Sequence, residues 1–278
     1  RVKTVAQETS MNKNRSAPRT DSRESLDVVV VGAGFSGMFA VYKLRELGFT
    51  VQGLERGENV GGTWYWNRYP GARCDAPSMQ YSYQFSEELQ QQWHWTEKYA
   101  AQPEILEYCN HVADRFNIRS HIRFNTEVTS IHFDEGTQLW TTKTNQGDVL
   151  HARFVVMARG CLSTTNLPAI PGVDSFRGEH YHTGHWPKSG VDLTNKRVGI
   201  IGTGSAGIQV ITTIADQVGE LFVFQRTPQY STPAHNEPTD PDYEAEIKAD
   251  YANFRAANYR RPLAVDIQLD PNAPKTFE

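Results

Sequence analysis

Two glycine-rich hexapeptides in the chain have the spacing of a turn that binds a nucleotide pyrophosphate. Residues 32–37 read Gly-Ala-Gly-Phe-Ser-Gly, and residues 202–207 read Gly-Thr-Gly-Ser-Ala-Gly. In such a turn the first glycine permits a tight bend, the second lets the backbone approach the phosphates, and the third lets helix and strand pack closely. The N–H groups at the start of the following helix attract the anion. A glycine pattern alone is a weak signal, so the flanking residues decide each case.

The residue 23 positions after the first glycine distinguishes the two turns. It is Glu55 in the first turn and Gln225 in the second, where Arg226 and Thr227 follow. A carboxylate at this position accepts hydrogen bonds from an adenosine ribose and would repel a 2′-phosphate, whereas a guanidinium and a hydroxyl would bind that phosphate. The sequence therefore predicts a first site for a nucleotide with a free 2′-hydroxyl (FAD or NAD) and a second site that prefers NADPH to NADH.

Both turns lie where a parallel β-α-β unit requires them. The patterns predict strands at Asp27–Val31 and Val51–Leu54 around a helix that stops near Gly48, because its apolar residues recur at helical spacing. The arrangement repeats with strands at Arg197–Ile201 and Leu221–Phe224 around a helix at Ile208–Val218. Other segments predict helices at Glu104–Phe116 and Asp242–Ala257, and strands at Ile122–Phe133, Leu139–Lys143 and Val149–Ala158.

These elements predict an α/β fold with two Rossmann-like dinucleotide-binding domains (FAD and NADP), the second incomplete in this chain. A single β-α-β unit has too few strands to form an independent sheet. We expect a disordered leader at residues 1–25, an FAD-binding domain at 26–166 and a linker rich in Pro, Gly and His at 167–196. Residues 197–278 are expected to begin the NADP-binding domain and its helical insertion.

Composition excludes several classes of function. Of the 278 residues 38% are hydrophobic and 22% are charged, and the net charge is −4, which favours neither a membrane nor nucleic acid as a partner. The three cysteines are far apart, and no Cys or His cluster has metal-ligand spacing, so we expect no metal site. We expect a cytoplasmic monomer.

Two longer segments carry a resemblance to a known family. Residues 60–75 read VGGTWYWNRYPGARCD, and residues 176–187 read FRGEHYHTGHWP. The chain resembles the N-terminal portion of Baeyer–Villiger monooxygenases, which are class B flavoprotein monooxygenases, and is similar to phenylacetone and steroid monooxygenases. The second segment fits the family fingerprint of Phe, one residue, Gly, three residues, His, three residues, Trp and then Pro or Asp. The resemblance extends over about residues 27–233.

The resemblance implies contacts with both cofactors. Together with the turn glycines, the expected FAD contacts are Gly32, Gly34, Ser36, Gly37, Glu55, Thr63, Trp64, Tyr65, Trp66, Asp75, Tyr81 and Val128. The expected NADP contacts are Thr203, Gly204, Ser205, Ala206, Gly207, Ile208, Gln209, Arg226 and Thr227, joined by Arg73, Cys74 and Asp75, where the nicotinamide approaches the flavin. It also implies a domain-coupling role for His182 and Trp186 in the linker, and a substrate pocket edged by Ala76, Cys161 and Leu162.

The resemblance also implies a reaction. NADPH reduces FAD, the reduced flavin captures O2 as a C4a-peroxyflavin, and one oxygen atom is inserted next to a ketone carbonyl to give an ester or lactone. A cation near the flavin is needed to stabilise the negative charge that develops. The family's main catalytic arginine is expected beyond residue 278, so Asp75 and Arg73 are the candidate catalytic residues within the chain.

Two alternatives remain open at this point. One is a flavin monooxygenase that oxygenates amine or sulfur substrates with the same cofactors, although Trp186-Pro187 and Arg73-Cys74-Asp75 favour the ketone reaction. The other is a nucleotide-binding fragment without turnover of its own. A disulfide reductase is disfavoured, because no pair of cysteines separated by four residues follows the first turn.

Overall fold

The computed structural model describes residues 26–162 and 164–261, which form a large and a small α/β unit. The strands are β1 Leu26–Val31, β2 Val51–Leu54, β3 Ile122–Arg123, β4 Val128–Asp134, β5 Leu139–Thr144, β6 Val149–Met157, β7 Arg197–Ile201 and β8 Glu220–Phe224. The helices are α1 Phe35–Glu46, α2 Thr63–Trp66, α3 Glu87–Gln92, α4 Gln102–Arg115, α5 Ser205–Ile214, α6 Pro241–Ala249 and α7 Tyr251–Tyr259.

The large unit is built on a six-stranded sheet in the order β3-β2-β1-β6-β5-β4. β3, β2, β1 and β6 are parallel, whereas β5 and β4 are antiparallel to their neighbours. The first glycine turn lies at the carboxyl end of β1, in the middle of the sheet. Ligands of open parallel sheets bind at this edge of the strands.

Burial on both faces explains the unbroken run of valines in β1. Val28 and Val30 pack into the main core with Met38 of α1, while Val29 packs on the opposite face with Leu54. All five of these residues are at most 2% exposed. A strand that is covered on both faces needs a continuous apolar run instead of alternation, and it holds the turn rigidly.

The small unit has two parallel strands, β7 and β8, joined through α5. Its sheet is much less covered, since Ile201 and Phe224 are 68% and 58% exposed. After this unit the chain returns to the large one, where Ile247 of α6 and Tyr251 of α7 enter the main core. The α/β fold with Rossmann-like units that the sequence predicted is confirmed.

Three predicted elements differ from the structure by more than one or two residues at their ends. α5 begins at Ser205 and not at Ile208, because the helix starts directly after the turn glycine, and it ends at Ile214. The helix predicted over Asp242–Ala257 is two helices, since Asp250 leaves helical geometry and its side chain accepts a hydrogen bond from Asn253 N at the start of α7. The segment Ile122–Phe133 is likewise divided between β3, which pairs with β2, and β4, which pairs with β5.

Some predictions fall outside the described part of the chain, namely the leader at residues 1–25 and the end at 262–278. Within the described part, no helix has the length and apolar character needed to cross a membrane. Nor do residues 26–162 and 164–261 contain a group of three or more His, Cys, Asp or Glu side chains arranged to hold a metal ion.

Candidate functional site

The first glycine turn is held by backbone contacts on two sides. Gly32 has φ +102°, and its N–H donates to the carbonyl of Leu54 at 2.8 Å. A Cβ atom on Gly37 would lie 1.9 Å from the carbonyl oxygen of Gly32. Helix α1 therefore rests directly on the turn, and its first N–H groups face the space beyond β1, as anion binding requires.

Glu55 is fixed at the end of β2 by two backbone donors. It is 6% exposed; its Oε2 accepts from Ala33 N at 2.8 Å, and its Oε1 accepts from Gly57 N at 2.7 Å. Each carboxylate oxygen can accept more than one hydrogen bond. The carboxylate thus retains the capacity to accept from ribose hydroxyls while its orientation is set by the turn.

A groove of about 770 Å³ opens in front of this turn. This volume lies within the range of about 300–1,000 Å³ that is usual for ligand pockets. Nine of the residues predicted to contact FAD line it: Gly32, Gly34, Ser36, Glu55, Thr63, Trp64, Trp66, Tyr81 and Val128. An open groove with a helix start and a buried carboxylate in its wall fits a dinucleotide with a free 2′-hydroxyl.

Trp64 and Tyr81 give the groove an ordered aromatic wall. The rings meet edge to face with their centroids 5.8 Å apart, and Trp64 Nε1 donates to the Tyr81 hydroxyl at 3.0 Å. Burial raises the pKa of Tyr81 to about 12, so its phenol stays protonated at neutral pH. The wall is therefore uncharged and suited to pack against a flat ring system.

Three other predicted FAD contacts do not line the groove. Gly37 packs beneath the turn, and Asp75 is exposed elsewhere. The ring of Tyr65 points away, into a shallow depression of about 470 Å³, where Arg68 and Lys188 lie 5.1 Å and 5.5 Å from its centroid. The cofactor contacts of these three residues remain predictions, and the geometry favours supporting roles for Gly37 and Tyr65.

Several residues that line the groove were not predicted from the sequence. Arg56 follows Glu55 directly, lines the groove and lies 4.6 Å above the ring of Trp66. Gly62 approaches the turn so closely that a Cβ atom there would lie 2.7 Å from the Cα of Gly34. In the sequence, Arg56 is marked by its place directly after the acidic residue Glu55. Gly62 is marked by the pair of glycines at residues 61–62. Further lining residues are Thr126, Arg159, Gly160 and Thr164.

The second turn repeats the geometry of the first. Gly202 has φ +100°, and its N–H donates to the carbonyl of Phe224 at 2.9 Å. A Cβ atom on Gly207 would lie 2.3 Å from the carbonyl oxygen of Gly202, so α5 rests on this turn as α1 rests on the first. The predicted residues Gly204, Ser205, Ala206 and Ile208 form the end of this turn and the first part of α5.

The strand end at the second turn carries no carboxylate. Gln225 Nε2 donates to Thr203 Oγ1 at 2.8 Å, and Thr203 is buried. The next residues, Arg226 and Thr227, are exposed beyond the end of β8. This edge offers a guanidinium and a hydroxyl to an anionic group, which fits a ribose 2′-phosphate.

Arg73 and Asp75 do not form the ion pair that their spacing allows. Arg73 Nη1 donates instead to Glu97 Oε2 at 2.6 Å and to the carbonyl of Tyr99 at 2.9 Å, while Asp75 is exposed. The hydrogen bond from Arg73 holds the pKa of Glu97 below its usual value. Between them Cys74 is buried, and burial raises the pKa of its thiol to about 11.

In the linker, His182 stabilises a short turn. Its Nδ1 accepts from Gly184 N at 3.0 Å at the start of a 3-10 turn over Thr183–His185. A ring nitrogen that accepts carries no proton, so the proton of the neutral imidazole lies on Nε2. Trp186 follows, with its ring 5.6 Å from that of Tyr181.

The three predicted substrate-pocket residues differ in exposure. Cys161 and Leu162 are exposed, whereas Ala76 is partly buried, and its N–H donates to Cys74 Sγ at 3.4 Å. Asn67 Nδ2 donates to the carbonyl of Leu162 at 3.4 Å, which ties the segment after β6 to the end of α2. The substrate contacts of these three residues remain predictions.

Comparison with known proteins identifies relatives over most of the chain. A Baeyer-Villiger monooxygenase of Pseudooceanicola batsensis is 50% identical over 229 residues, and a cyclohexanone 1,2-monooxygenase of Acinetobacter sp. is 44% identical over 226 residues. These alignments cover 82% and 81% of this chain, but 42% and 41% of the relatives. A solved structure of oxidized steroid monooxygenase bound to NADP matches with a TM-score of 0.81 and 56% identity, over 84% of this chain and 45% of that one.

The chain thus spans less than half the length of the relatives it matches. The family model described as pyridine nucleotide-disulphide oxidoreductase matches residues 29–260. Within the described residues the cysteines are unpaired, with Cys74 and Cys109 buried and Cys161 exposed. The chain belongs to the pyridine nucleotide-disulphide oxidoreductase family, and its similarity there is to Baeyer–Villiger monooxygenases, which confirms the resemblance predicted from residues 60–75 and 176–187.

Proposed function

We propose that the protein is an FAD- and NADPH-dependent Baeyer–Villiger monooxygenase, which uses O2 to insert one oxygen atom next to a ketone carbonyl. The observation that carries this proposal is the pair of matched glycine turns with different residues at the same register. Glu55 directly follows β2, the strand after the first turn, and Gln225 and Arg226 directly follow β8, the strand after the second. One chain then selects a 2′-hydroxyl nucleotide at one turn and a 2′-phosphate nucleotide at the other.

FAD is assigned to the groove of the 26–166 region, and NADP to the turn at the start of the 197–278 region. When bound, FAD reduced by NADPH supplies the oxygen-activating chemistry. The chain's own residues bind and orient the two cofactors and exclude water from the site. The helix start after Gly34 would hold the pyrophosphate, Glu55 would accept from the ribose, and Trp64 and Tyr81 would offer apolar surface to the ring system.

Arg226 selects the nicotinamide nucleotide. Its guanidinium lies at the exposed end of β8, where a 2′-phosphate would meet it, and a carboxylate at position 225 would oppose that charge. Gln225 is neutral and donates to Thr203, so it keeps the turn ordered without repelling phosphate. We also propose that Thr227 adds a hydroxyl contact to the same group.

Arg73 and Asp75 are proposed to act where the nicotinamide approaches the flavin. Glu97 already neutralises the guanidinium of Arg73. Arg73 therefore acts as a hydrogen-bond donor in a fixed position and not as a free cation. Asp75 is exposed and open to a ligand group. We propose that the carboxylate of Asp75 accepts a proton, or a hydrogen bond from the nicotinamide amide, where the nicotinamide approaches the flavin. The cation that stabilises negative charge is then supplied by another residue.

The substrate is proposed to be a ketone. The test is to incubate the full-length protein with NADPH, 18O-labelled O2 and a panel of linear, cyclic and steroidal ketones, with amines and sulfides in parallel. Mass spectrometry should find an ester or lactone that carries one 18O atom. Oxygenated amines or sulfides without any ester would favour the alternative monooxygenase, and NADPH oxidation without an organic product would overturn the proposal. We also propose that the protein is a cytoplasmic monomer. Gel filtration of the full-length protein tests the oligomeric state.

A further inference from the structure

Helix α5 lies directly on the segment of residues 69–73. The side-chain amide of Gln209 makes two contacts there: Oε1 accepts from the Tyr69 hydroxyl at 2.9 Å, and Nε2 donates to the carbonyl of Arg73 at 3.1 Å. Between them Gly71 has φ +78°, and a Cβ atom on it would lie 2.1 Å from Thr213 Oγ1 and 2.5 Å from the carbonyl oxygen of Gln209. Only glycine lets the helix approach this backbone so closely.

The direction of each hydrogen bond is fixed by chemistry. A backbone carbonyl can only accept, so Nε2 of Gln209 must face Arg73, and Oε1 must face Tyr69. The Tyr69 hydroxyl is then the donor. Burial, with the nearby charge of Asp75, raises the pKa of Tyr69, so the phenol remains a donor through the neutral range.

The side chain of Arg73 is held from the opposite direction. Its Nη1 donates to Glu97 Oε2 at 2.6 Å, and Asn236 Nδ2 donates to the same oxygen at 2.5 Å. The next residue is held as well, since Cys74 N donates to the carbonyl of Ala100 at 3.0 Å. The backbone of Arg73 is therefore tied to α5, and its side chain to the large unit.

We propose that Tyr69 and Gln209 are positioning residues: they form a clasp that sets the place of residues 73–75 relative to the nucleotide bound at the start of α5. This rests on the proposed NADP site at the second turn. The resemblance implies an NADP contact for Gln209, but both polar atoms of its amide are bonded to Tyr69 and Arg73, and it lies about one turn beyond Ser205, where α5 begins. A displacement of α5 would move the backbone of Arg73, because the Gln209 amide joins the two. Hydride transfer requires the nicotinamide and its partners to be placed within fractions of an ångström.

The test compares Tyr69→Phe, Gln209→Leu and the double variant in the full-length protein with FAD. We expect each single variant to slow flavin reduction at saturating NADPH by about two- to tenfold, the factor that one hydrogen bond of ordinary strength provides. The double variant should be no slower than Gln209→Leu, because both changes remove the same bond. The dissociation constant of NADP⁺, measured by titration, should change less than the rate, and reduction by dithionite should be unchanged.

Gln217→Leu is the matched control. Gln217 lies just beyond α5, is exposed, and its Nε2 donates to the carbonyl of Thr213 within the same stretch of chain. This variant should reduce its flavin at the wild-type rate. Gln209→Glu adds a test of polarity, since a carboxylate still accepts from Tyr69 but repels the carbonyl of Arg73, and we expect it to be as slow as Gln209→Leu.

A cycle of urea unfolding midpoints on the same variants, without any nicotinamide nucleotide, reports whether Tyr69 and Gln209 interact energetically. Independent effects in the double variant, in rate or in unfolding, would overturn the clasp while leaving the NADP site intact. An equal loss of NADP⁺ affinity and rate would make Gln209 a nucleotide ligand and overturn its positioning role. Wild-type protein that neither binds NADP⁺ nor is reduced by NADPH would overturn the proposed function, and the clasp with it.

Discussion

The two glycine turns are the same device placed in different surroundings. In each, the first glycine donates to the end of the next strand, at 2.8 Å in Gly32 and 2.9 Å in Gly202. In each, the side chain of the residue that follows that strand forms a hydrogen bond with the second residue of the turn. Glu55 accepts from Ala33 N, and Gln225 donates to Thr203 Oγ1, in each case across 22 positions of sequence.

The surroundings differ in cover. The first turn follows β1, where Val29 is fully buried, whereas the second follows β7, where Ile201 is 68% exposed in a sheet of two described strands. The turn geometry is the same in both, as the matched spacing of the glycines predicts. In the proposed function, the preference of each turn for one nucleotide is set by the residue that follows the strand and by its neighbour.

The largest effect that could break this comparison is expected from Gly62→Ala. The new Cβ atom would lie 2.7 Å from Gly34 Cα, and φ at Gly62 is +53°, so the first turn would have to shift away from the groove. We expect purified protein without bound FAD, measured by flavin absorbance. Gly190→Ala is the matched control, because Gly190 has φ +75° but has no atom within 4 Å of its Cβ position. Protein of normal yellow colour from Gly62→Ala would contradict the described groove.

Glu55→Gln should have the next largest effect. The amide has only one oxygen for the two N–H groups of Ala33 and Gly57, so one buried donor faces another donor. We expect a loss of stability of about 1–3 kcal/mol and FAD affinity lower by about 10- to 100-fold. Urea unfolding and flavin titration measure these, with Glu135→Gln in the exposed β4–β5 hairpin as control. Unchanged values would mean that the carboxylate of Glu55 does not organise the first site.

Gln225→Glu should make the second site resemble the first, with a smaller change in nucleotide affinity than Glu55→Gln causes. A glutamate can still accept from the Thr203 hydroxyl, so the turn should survive, but its charge would repel a 2′-phosphate. We expect NADPH to bind about five- to tenfold more weakly while NADH binds at least as well, measured by titration of both. A parallel loss of both nucleotides would instead indicate a damaged turn.

Thiol reactivity should distinguish the buried core of the large unit from the exposed segment that follows β6. Cys74 is buried and burial raises its pKa to about 11, so almost no thiolate is present at pH 8; Cys109 is buried as well, and burial also raises its pKa. Cys161 is exposed. Because the thiolate is the nucleophile, iodoacetamide at pH 8 should label Cys161 alone in the native protein and all three cysteines in urea, as read by peptide mass spectrometry. Native labelling of Cys74 would show that its segment opens readily.

Sequence alone predicted the parts of this architecture that depend on local spacing. β2 and β7 have the predicted bounds, and the register of Glu55 and Gln225 was visible as two identical intervals. Contacts across long intervals were not predictable. The bond between Tyr69 and Gln209 spans 140 positions, and Arg73 pairs with Glu97, 24 positions away, instead of with Asp75, so tertiary packing decides both.

The direction of a side chain was also beyond the sequence. Trp64, Tyr65 and Trp66 are consecutive in the one-turn helix α2, which spreads their side chains around its axis. Trp64 and Trp66 line the groove, and Tyr65 faces Arg68 and Lys188. A family pattern identifies such a segment as a whole, while helix geometry decides which of its side chains face the groove.

Replacement of Arg226 by alanine tests the central claim of two sites with opposite charge preference most directly. NADPH and NADH should each be titrated against the full-length protein with FAD bound, for the wild type and for Arg226→Ala. Since a hydrogen bond to a charged group is worth about 1.5–3 kcal/mol, NADPH should bind about 10- to 100-fold more weakly to the variant, with NADH affinity and flavin content unchanged. An equal loss for NADH, or no loss for NADPH, would contradict the assignment of Arg226 to the 2′-phosphate.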